Sequence, residues 1–148
     1  MTDEHRERDD RLLADDLSMS LEHLYEVAGL GWQLLGDGQV LDESFQQRRW
    51  YVAGEPAQVM LGVLGDKEPL LVGRPQVKWE SHRAVLQPQA PEVVNSFDDL
   101  AVVLRRVCLA RHRTFRWCRY CRTLVAPEER TEPDVCMGCA TTVQGIVF

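Results

Sequence analysis

The middle of the chain contains the stretch Val59-Met60-Leu61-Gly62-Val63-Leu64, which is its most continuous apolar run. Pro56 lies shortly before this stretch and Gly65-Asp66 follows it, and residues of these types mark turns. A short apolar run between turn residues is typical of a strand. We therefore expect this stretch to be the central strand of a sheet.

Shorter apolar runs lie on both sides of this stretch, separated by glycine, proline and polar turns. Because no helical pattern comes between them, they predict a mostly antiparallel sheet of about five strands. Pro88 to Pro91 is expected to end the strand pattern. The runs are Trp32 to Leu35 before the Gly36-Asp37-Gly38 turn, Val40 to Phe45, Arg49 to Val52, Leu70 to Val72, Val77 to Trp79, and Ala84 to Leu86.

A helical pattern precedes the sheet. Its apolar positions recur at spacings of three to four residues, which predicts a helix from about residue 12 to Gly29. Glycine at that position favours termination, and the stretch Ser18-Met19-Ser20 allows a break into two pieces. The apolar stripe consists of Leu13, Leu17, Leu21, Leu24 and Ala28.

A second amphipathic helix is predicted after the sheet. It begins near Ser96, whose hydroxyl can cap the first turn three residues before an acid. Arg111 falls on the apolar face of this helix, so either the helix ends near Ala110 or the arginine side chain extends outward to solvent. The rest of that face consists of Leu100, Val103, Leu104, Val107 and Cys108. The predicted class is α+β.

Charge is unevenly distributed along the 148 residues, whose net charge is −6. Residues 1–16 carry seven acids against Arg6, Arg8 and Arg11, and residues 1–11 are almost free of apolar side chains. We therefore predict a disordered acidic tail over 1–11, an α+β domain over 12–114 and a separate module over 115–148.

The N-terminus is strongly charged, and no apolar segment follows it, so the sequence predicts neither a signal peptide nor a membrane span. The expected location is the cytoplasm. In a reducing compartment, five cysteines favour metal binding or burial over disulfides.

Four of the cysteines form two matched pairs. Cys118 and Cys121 enclose two residues, fourteen residues follow, and Cys136 and Cys139 enclose two more. Two such turns supply the four thiolates that tetrahedral zinc prefers. The module has few apolar residues of its own, so a bound metal would provide much of its stability. We predict one structural Zn²⁺ held by these four cysteines.

The segment 115–148 resembles the zinc-ribbon and treble-clef class of four-cysteine zinc modules. A treble clef would place Cys136 and Cys139 at the start of a short helix that ends before Gly145, whereas a ribbon would place them in a strand; we favour the treble clef. Both types imply a terminal strand at Ile146-Val147-Phe148. Many ribbons carry glycine after each cysteine pair, where this chain has Arg122 and Ala140. Rubredoxin-type iron shares the ligand spacing and is a minor alternative.

No catalytic pattern accompanies the cysteines, and we expect a protein that is not an enzyme. Four cysteines leave a metal no open position for a substrate. The deaminase signature is absent, because Val135 rather than proline precedes Cys136. Phosphate-loop and dinucleotide motifs are also absent, so no small-molecule substrate is indicated. Cys108 is expected to be a core residue.

Seven arginines and no acid lie between Arg105 and Arg122. With the aromatic residues among them they could bind phosphates and bases, or they could offset the negative charge of a metal bound by four thiolates. Others could pair with the acidic N-terminus or with Glu128, Glu129, Glu132 and Asp134. The candidate contact residues for a partner are Arg105, Arg106, Arg113, Arg116, Arg119, Tyr120 and Arg122.

We therefore expect a small zinc-binding protein with a regulatory role that acts on a protein partner. One alternative is a DNA- or RNA-binding zinc-finger protein linked to transcription or translation. A second alternative is an immunity-type inhibitor, which only the size and the acidic regions favour.

Overall fold

The computed structural model describes residues 3–35, 48–64, 69–80 and 83–146. These residues form a five-stranded antiparallel sheet, α-helices before and after it, and a cysteine-rich C-terminal module, which confirms the α+β class. None of the described helices is both long and apolar enough to span a membrane.

Four α-helices and nine strands follow one another in the described ranges. The helices are α1 (Asp3–Asp16), α2 (Leu21–Ala28), α3 (Phe97–His112) and α4 (Met137–Gln144). The main sheet consists of β1 (Trp32–Leu34), β2 (Arg49–Ala53), β3 (Val59–Val63), β4 (Leu70–Glu80) and β5 (Arg83–Val94). The module contains β6 (Arg116–Trp117), β7 (Leu124–Val125), a 3-10 turn (Pro127–Glu129), β8 (Arg130–Glu132) and β9 (Val135–Cys136).

The sheet has the simple order β1-β2-β3-β4-β5, so the predicted central strand is confirmed as β3. All five residues of β3 are buried. On one face the sheet packs against the helices, with Tyr51, Leu61, Leu13 and Leu100 in the main core. On the other face a smaller core surrounds Trp50, Val52 and Met60.

The predicted break at Pro88 to Pro91 is wrong. β5 continues through both prolines to Val94, and the runs Leu70 to Val72 and Val77 to Trp79 belong to one strand, β4. Proline lacks the amide that a central strand needs, but β5 is an edge strand, where that loss is tolerated. The predicted strand Val40 to Phe45 and the turn Gly36-Asp37-Gly38 lie outside the described residues.

The predicted disordered tail is also wrong where the structure describes it, since α1 begins at Asp3. Carboxylates of α1 accept hydrogen bonds from backbone amides at the edge strand β1: Asp10 from Gly31 (3.1 Å) and Trp32 (2.7 Å), and Asp9 from Leu34 (3.1 Å). These bonds give the acidic segment a defined place in the fold. The helical segment is interrupted after residue 16, and Ser20 caps α2.

Neither expectation for Arg111 is correct. α3 continues past Ala110 to His112, and the Arg111 side chain is buried, with 4% of the residue exposed. Ser96 caps the helix as predicted, and its side chain accepts a hydrogen bond from the Asp98 amide. The boundary of the predicted module at residue 115 falls between α3 and β6 and stays a prediction.

Candidate metal centre

The first cysteine pair lies in a tight turn that follows β6 and precedes β7. The two strands pair as Arg116 with Val125 and Trp117 with Leu124. Inside the turn, the Arg122 amide donates to the Cys118 carbonyl oxygen at 2.9 Å, and Arg122 adopts a left-handed backbone with φ +59°. We call residues 116–125 the knuckle.

The second pair lies where a short hairpin enters a helix. β8 and β9 pair antiparallel, and Cys136 at the end of β9 is the N-cap of α4. Its Sγ accepts a hydrogen bond from the Cys139 amide at 3.4 Å. The second pair therefore starts a helix, as we expected for a treble clef. Of the predicted terminal strand, Ile146 lies outside the strands and residues 147–148 lie outside the described residues.

The two pairs bring four sulfur atoms together. The Sγ atoms of Cys118, Cys121, Cys136 and Cys139 all lie within 4.8 Å of one another. The Cys121 and Cys136 sulfurs are 3.8 Å apart. Four ligands at about 2.3 Å from a central zinc would form a tetrahedron with edges of about 3.8 Å. The donor set and its spacing thus fit a tetrahedral metal ion.

The surroundings shift the pKa values of two of these thiols in opposite directions. Hydrogen bonds from the backbone at Cys136, and then at Cys121, lower the pKa of Cys118 to about 6. The neighbouring sulfur of Cys136, followed by burial, raises the pKa of Cys139 to about 12. Four thiolates repel one another unless a cation lies between them. A divalent metal would supply that charge and displace the remaining protons.

Exposure differs among the four cysteines. Cys118 is buried, Cys136 and Cys139 are half-buried, and Cys121 is exposed. The remaining cysteine, Cys108, is half-buried against the main core, and this burial raises its pKa. Cys108 therefore plays the expected part of a core residue and is separate from the cluster.

A buried ion pair joins the module to the α+β domain. Arg111 donates to both carboxylate oxygens of Glu128, and its Nε donates to the Ala57 carbonyl oxygen at 2.9 Å. Phe115 packs beside it, with the guanidinium carbon 5.0 Å from the ring centroid. Sequence reasoning offered Glu128 as one of several acids with which the arginines of this segment could pair, but it did not predict that Arg111 would be buried with it. The signal in the sequence was an arginine on an apolar helical face, because a guanidinium buried there needs an acidic partner.

Some of the candidate contact arginines have acidic neighbours. Arg106 pairs with Glu92 at 2.6 Å. Arg119 lies over the Tyr120 ring, at 4.9 Å, and within 4.0 Å of Glu132 and Asp134 carboxylates. The acidic neighbours of Arg106 and Arg119 thus favour the alternative in which these arginines pair with acids of the same chain.

The other candidate arginines have no carboxylate partner among the described residues. Arg116 donates to the carbonyl oxygens of Arg113 and Phe115, at 2.7 and 2.8 Å. Arg105, Arg113 and Arg122 are exposed, and their side chains make no hydrogen bond or ion pair within the described part of the chain. Four positive charges thus remain available to a partner, three of them in the knuckle or just before it.

Large apolar side chains are exposed on the knuckle. Trp117 is 64% exposed, its cross-strand neighbour Leu124 46%, and Tyr120 39%. We call these three residues the knuckle surface. The sequence indicated the aromatic residues but gave no reason to single out Leu124.

Comparison of the chain with family models, with curated proteins and with solved structures found no match in any of the three.

Proposed function

We propose that this protein is a non-enzymatic zinc-binding protein whose C-terminal module binds a protein partner through the knuckle surface. Cys118, Cys121, Cys136 and Cys139 would hold one zinc ion. The ion would supply positive charge and four strong bonds that hold the two cysteine turns together. A closed shell of four thiolates leaves no position for a substrate, which supports a structural role.

The order of elements supports assignment of the module to the treble-clef type. A cysteine turn between two short strands is followed by a hairpin, β8–β9, and then by α4, whose first turn carries the second pair. In such a module the metal replaces a hydrophobic core, so nearby side chains are free to face outward.

The observation that carries the interaction role is the exposure of Trp117. A tryptophan that is 64% exposed, beside Leu124 and Tyr120, loses the free energy it would gain by burial. Tryptophan, tyrosine and arginine are the residues that most often dominate the binding energy of protein interfaces. The knuckle surface and its unpaired arginines have this composition.

A nucleic-acid ligand is the second candidate, favoured by the free charges of Arg113, Arg116 and Arg122 beside two aromatic rings. The net charge of −6 opposes it. The inhibitor alternative has less support, because Asp9, Asp10 and Asp16 are engaged within the fold.

The test is affinity capture with metal-loaded protein, in which Trp117→Ala is compared with Val102→Ala. Val102 on α3 is 65% exposed, so the two variants remove equally exposed apolar side chains. We expect a stoichiometric protein partner to be lost with Trp117→Ala and kept with Val102→Ala. Equal capture by both variants would contradict the proposal.

A mobility-shift assay at low and high salt separates the two candidates. Binding of single-stranded DNA or RNA that weakens steeply with salt and with Arg113→Ala or Arg122→Ala would favour the nucleic-acid role. A protein partner that is captured while no nucleic acid binds would favour the primary proposal.

A further inference from the structure

The β4–β5 hairpin extends beyond the rest of the sheet. β3 pairs with β4 only from Leu71 to Gly73, whereas β4 and β5 remain paired from there to Glu80 and Arg83. We call residues 74–80 and 83–89 the arm. A cleft of about 460 Å³ separates the arm from the module. Its lining includes Arg74 and Trp79 from the arm and Glu128, Arg130 and Met137 from the module.

The cleft contains two guanidinium groups whose charge no described carboxylate offsets. Arg74 is half-buried, and its side chain makes no hydrogen bond or ion pair with any residue that the structure describes. Arg130 is also half-buried and donates to the carbonyl oxygens of Pro133 (3.0 Å) and Thr114 (3.1 Å). The third arginine of the lining, Arg111, is neutralised by Glu128.

Apolar groups lie beside these charges. Trp79 is 57% exposed, and Met137 is half-buried at the start of α4. An exposed indole offers a flat apolar surface, and methionine adapts its shape to different neighbours. The cleft is therefore suited to a ligand that carries both negative charge and an apolar side chain.

We propose that the cleft between the arm and the module binds a short acidic segment of a partner protein. Its carboxylates would pair with Arg74 and Arg130, and an adjacent apolar side chain would pack on Trp79. Arginine binds carboxylates with two parallel hydrogen bonds, which makes it suited to this task.

Size and charge favour a peptide over a nucleic acid. A volume of about 460 Å³ accommodates a few side chains. Nucleic-acid binders draw their affinity from contacts to many successive phosphates, and this cleft has two free guanidinium groups. The proposal goes beyond the proposed function, since Arg74 and Trp79 are not part of the knuckle surface. Either surface can fail its test without the other.

The test measures fluorescence polarisation of a short, capped, labelled peptide of alternating glutamate and leucine with the metal-loaded full chain. We expect the peptide to bind the wild type, and Arg74→Ala to weaken binding about tenfold through loss of a charge-assisted contact. Trp79→Ala should weaken it several-fold. Arg8→Ala is the matched control, because this exposed arginine on α1 does not line the cleft.

Nuclear magnetic resonance adds a measurement at the site itself. The indole N–H signal of Trp79, identified with Trp79→Phe, should shift on peptide addition, while that of Trp117 should not. The lysine-leucine counterpart should produce no shift. The proposal is overturned if the wild type does not bind the acidic peptide, if Arg74→Ala binds it as tightly as Arg8→Ala, or if a short oligothymidylate displaces it from the cleft.

Discussion

Arg111 and Glu128 form a buried ion pair that joins the last turn of α3 to the 3-10 turn of the module; their side chains are 5% and 13% exposed. The Ala57 carbonyl oxygen accepts a further hydrogen bond from Arg111. The Arg111 side chain, on α3, therefore contacts both the loop before β3 and the module.

Glu128→Ala should lower the free energy of unfolding by about 3–5 kcal/mol, because it leaves the Arg111 cation buried without a partner. Denaturant unfolding at saturating metal measures the change. Glu92→Ala is the control, because it breaks an ion pair with Arg106, which lies on the same helix as Arg111. That pair is exposed and should contribute less than about 1 kcal/mol. Similar losses for the two variants would show that burial does not matter here.

Purified protein should contain one zinc ion per chain, and Cys121→Ser should lower the metal affinity strongly, since a hydroxyl is a much weaker ligand than a thiolate. Cys108→Ser should retain the full metal content. Metal analysis and the absorption spectrum of the cobalt-substituted protein provide the measurements. A metal-free wild type that folds normally would refute the structural role of the site.

Tyr51 should make the protein sensitive to alkaline pH. Burial, and then a hydrogen bond from its hydroxyl to Asp16, raise the pKa of Tyr51 above the ordinary value of 10.0. A raised pKa favours the neutral phenol in the folded state. Its contribution to stability is therefore complete below about pH 10 and is lost as the pH rises through the folded pKa.

Tyr51→Phe should lower the free energy of unfolding by about 1 kcal/mol at neutral pH, through loss of the hydrogen bond. Above about pH 10 its stability should fall less steeply than that of the wild type. Chemical denaturation at a series of pH values compares the two. Parallel curves across that range would contradict the assignment.

Arg122→Gly should stabilise the module while weakening any partner that uses this arginine. The left-handed backbone at φ +59° costs an ordinary L-residue about 1 kcal/mol, and glycine avoids this cost. Thermal unfolding of the metal-loaded protein should show a net gain of at most about 0.6 kcal/mol, because the greater freedom of glycine in the unfolded chain offsets about 0.4–1 kcal/mol of the avoided cost. Arg122→Ala keeps the strain and should show no gain.

Much of the fold could be predicted because local patterns and tertiary packing agree. The buried run at Val59, the stripe of Leu100 and Leu104, and the cysteine spacing each determine local structure with few alternatives. It could not be predicted in this way that Pro88 lies within a strand, because a strand tolerates proline only where it is an edge strand. That property belongs to the assembled sheet.

The site shows the same division. The four cysteines were predictable, since metal binding requires both the residue type and the spacing. The sequence could offer Glu128 only as one of several possible partners for the arginines, because it lies 17 residues from Arg111 and only the packed module brings it near. The arm and its cleft exist because β4 and β5 stay paired over a long distance. The prolines made these strands look shorter in the sequence.

The carboxylates of Asp9 and Asp10 have a further consequence for the protein in a crowded solution. By occupying amides along β1, they remove a template on which another chain could add a strand. At the opposite edge, Pro88 and Pro91 leave gaps in the donor pattern. The outer strands β1 and β5 are thus unfavourable templates for edge-to-edge polymerisation, and α1 contributes to this at β1.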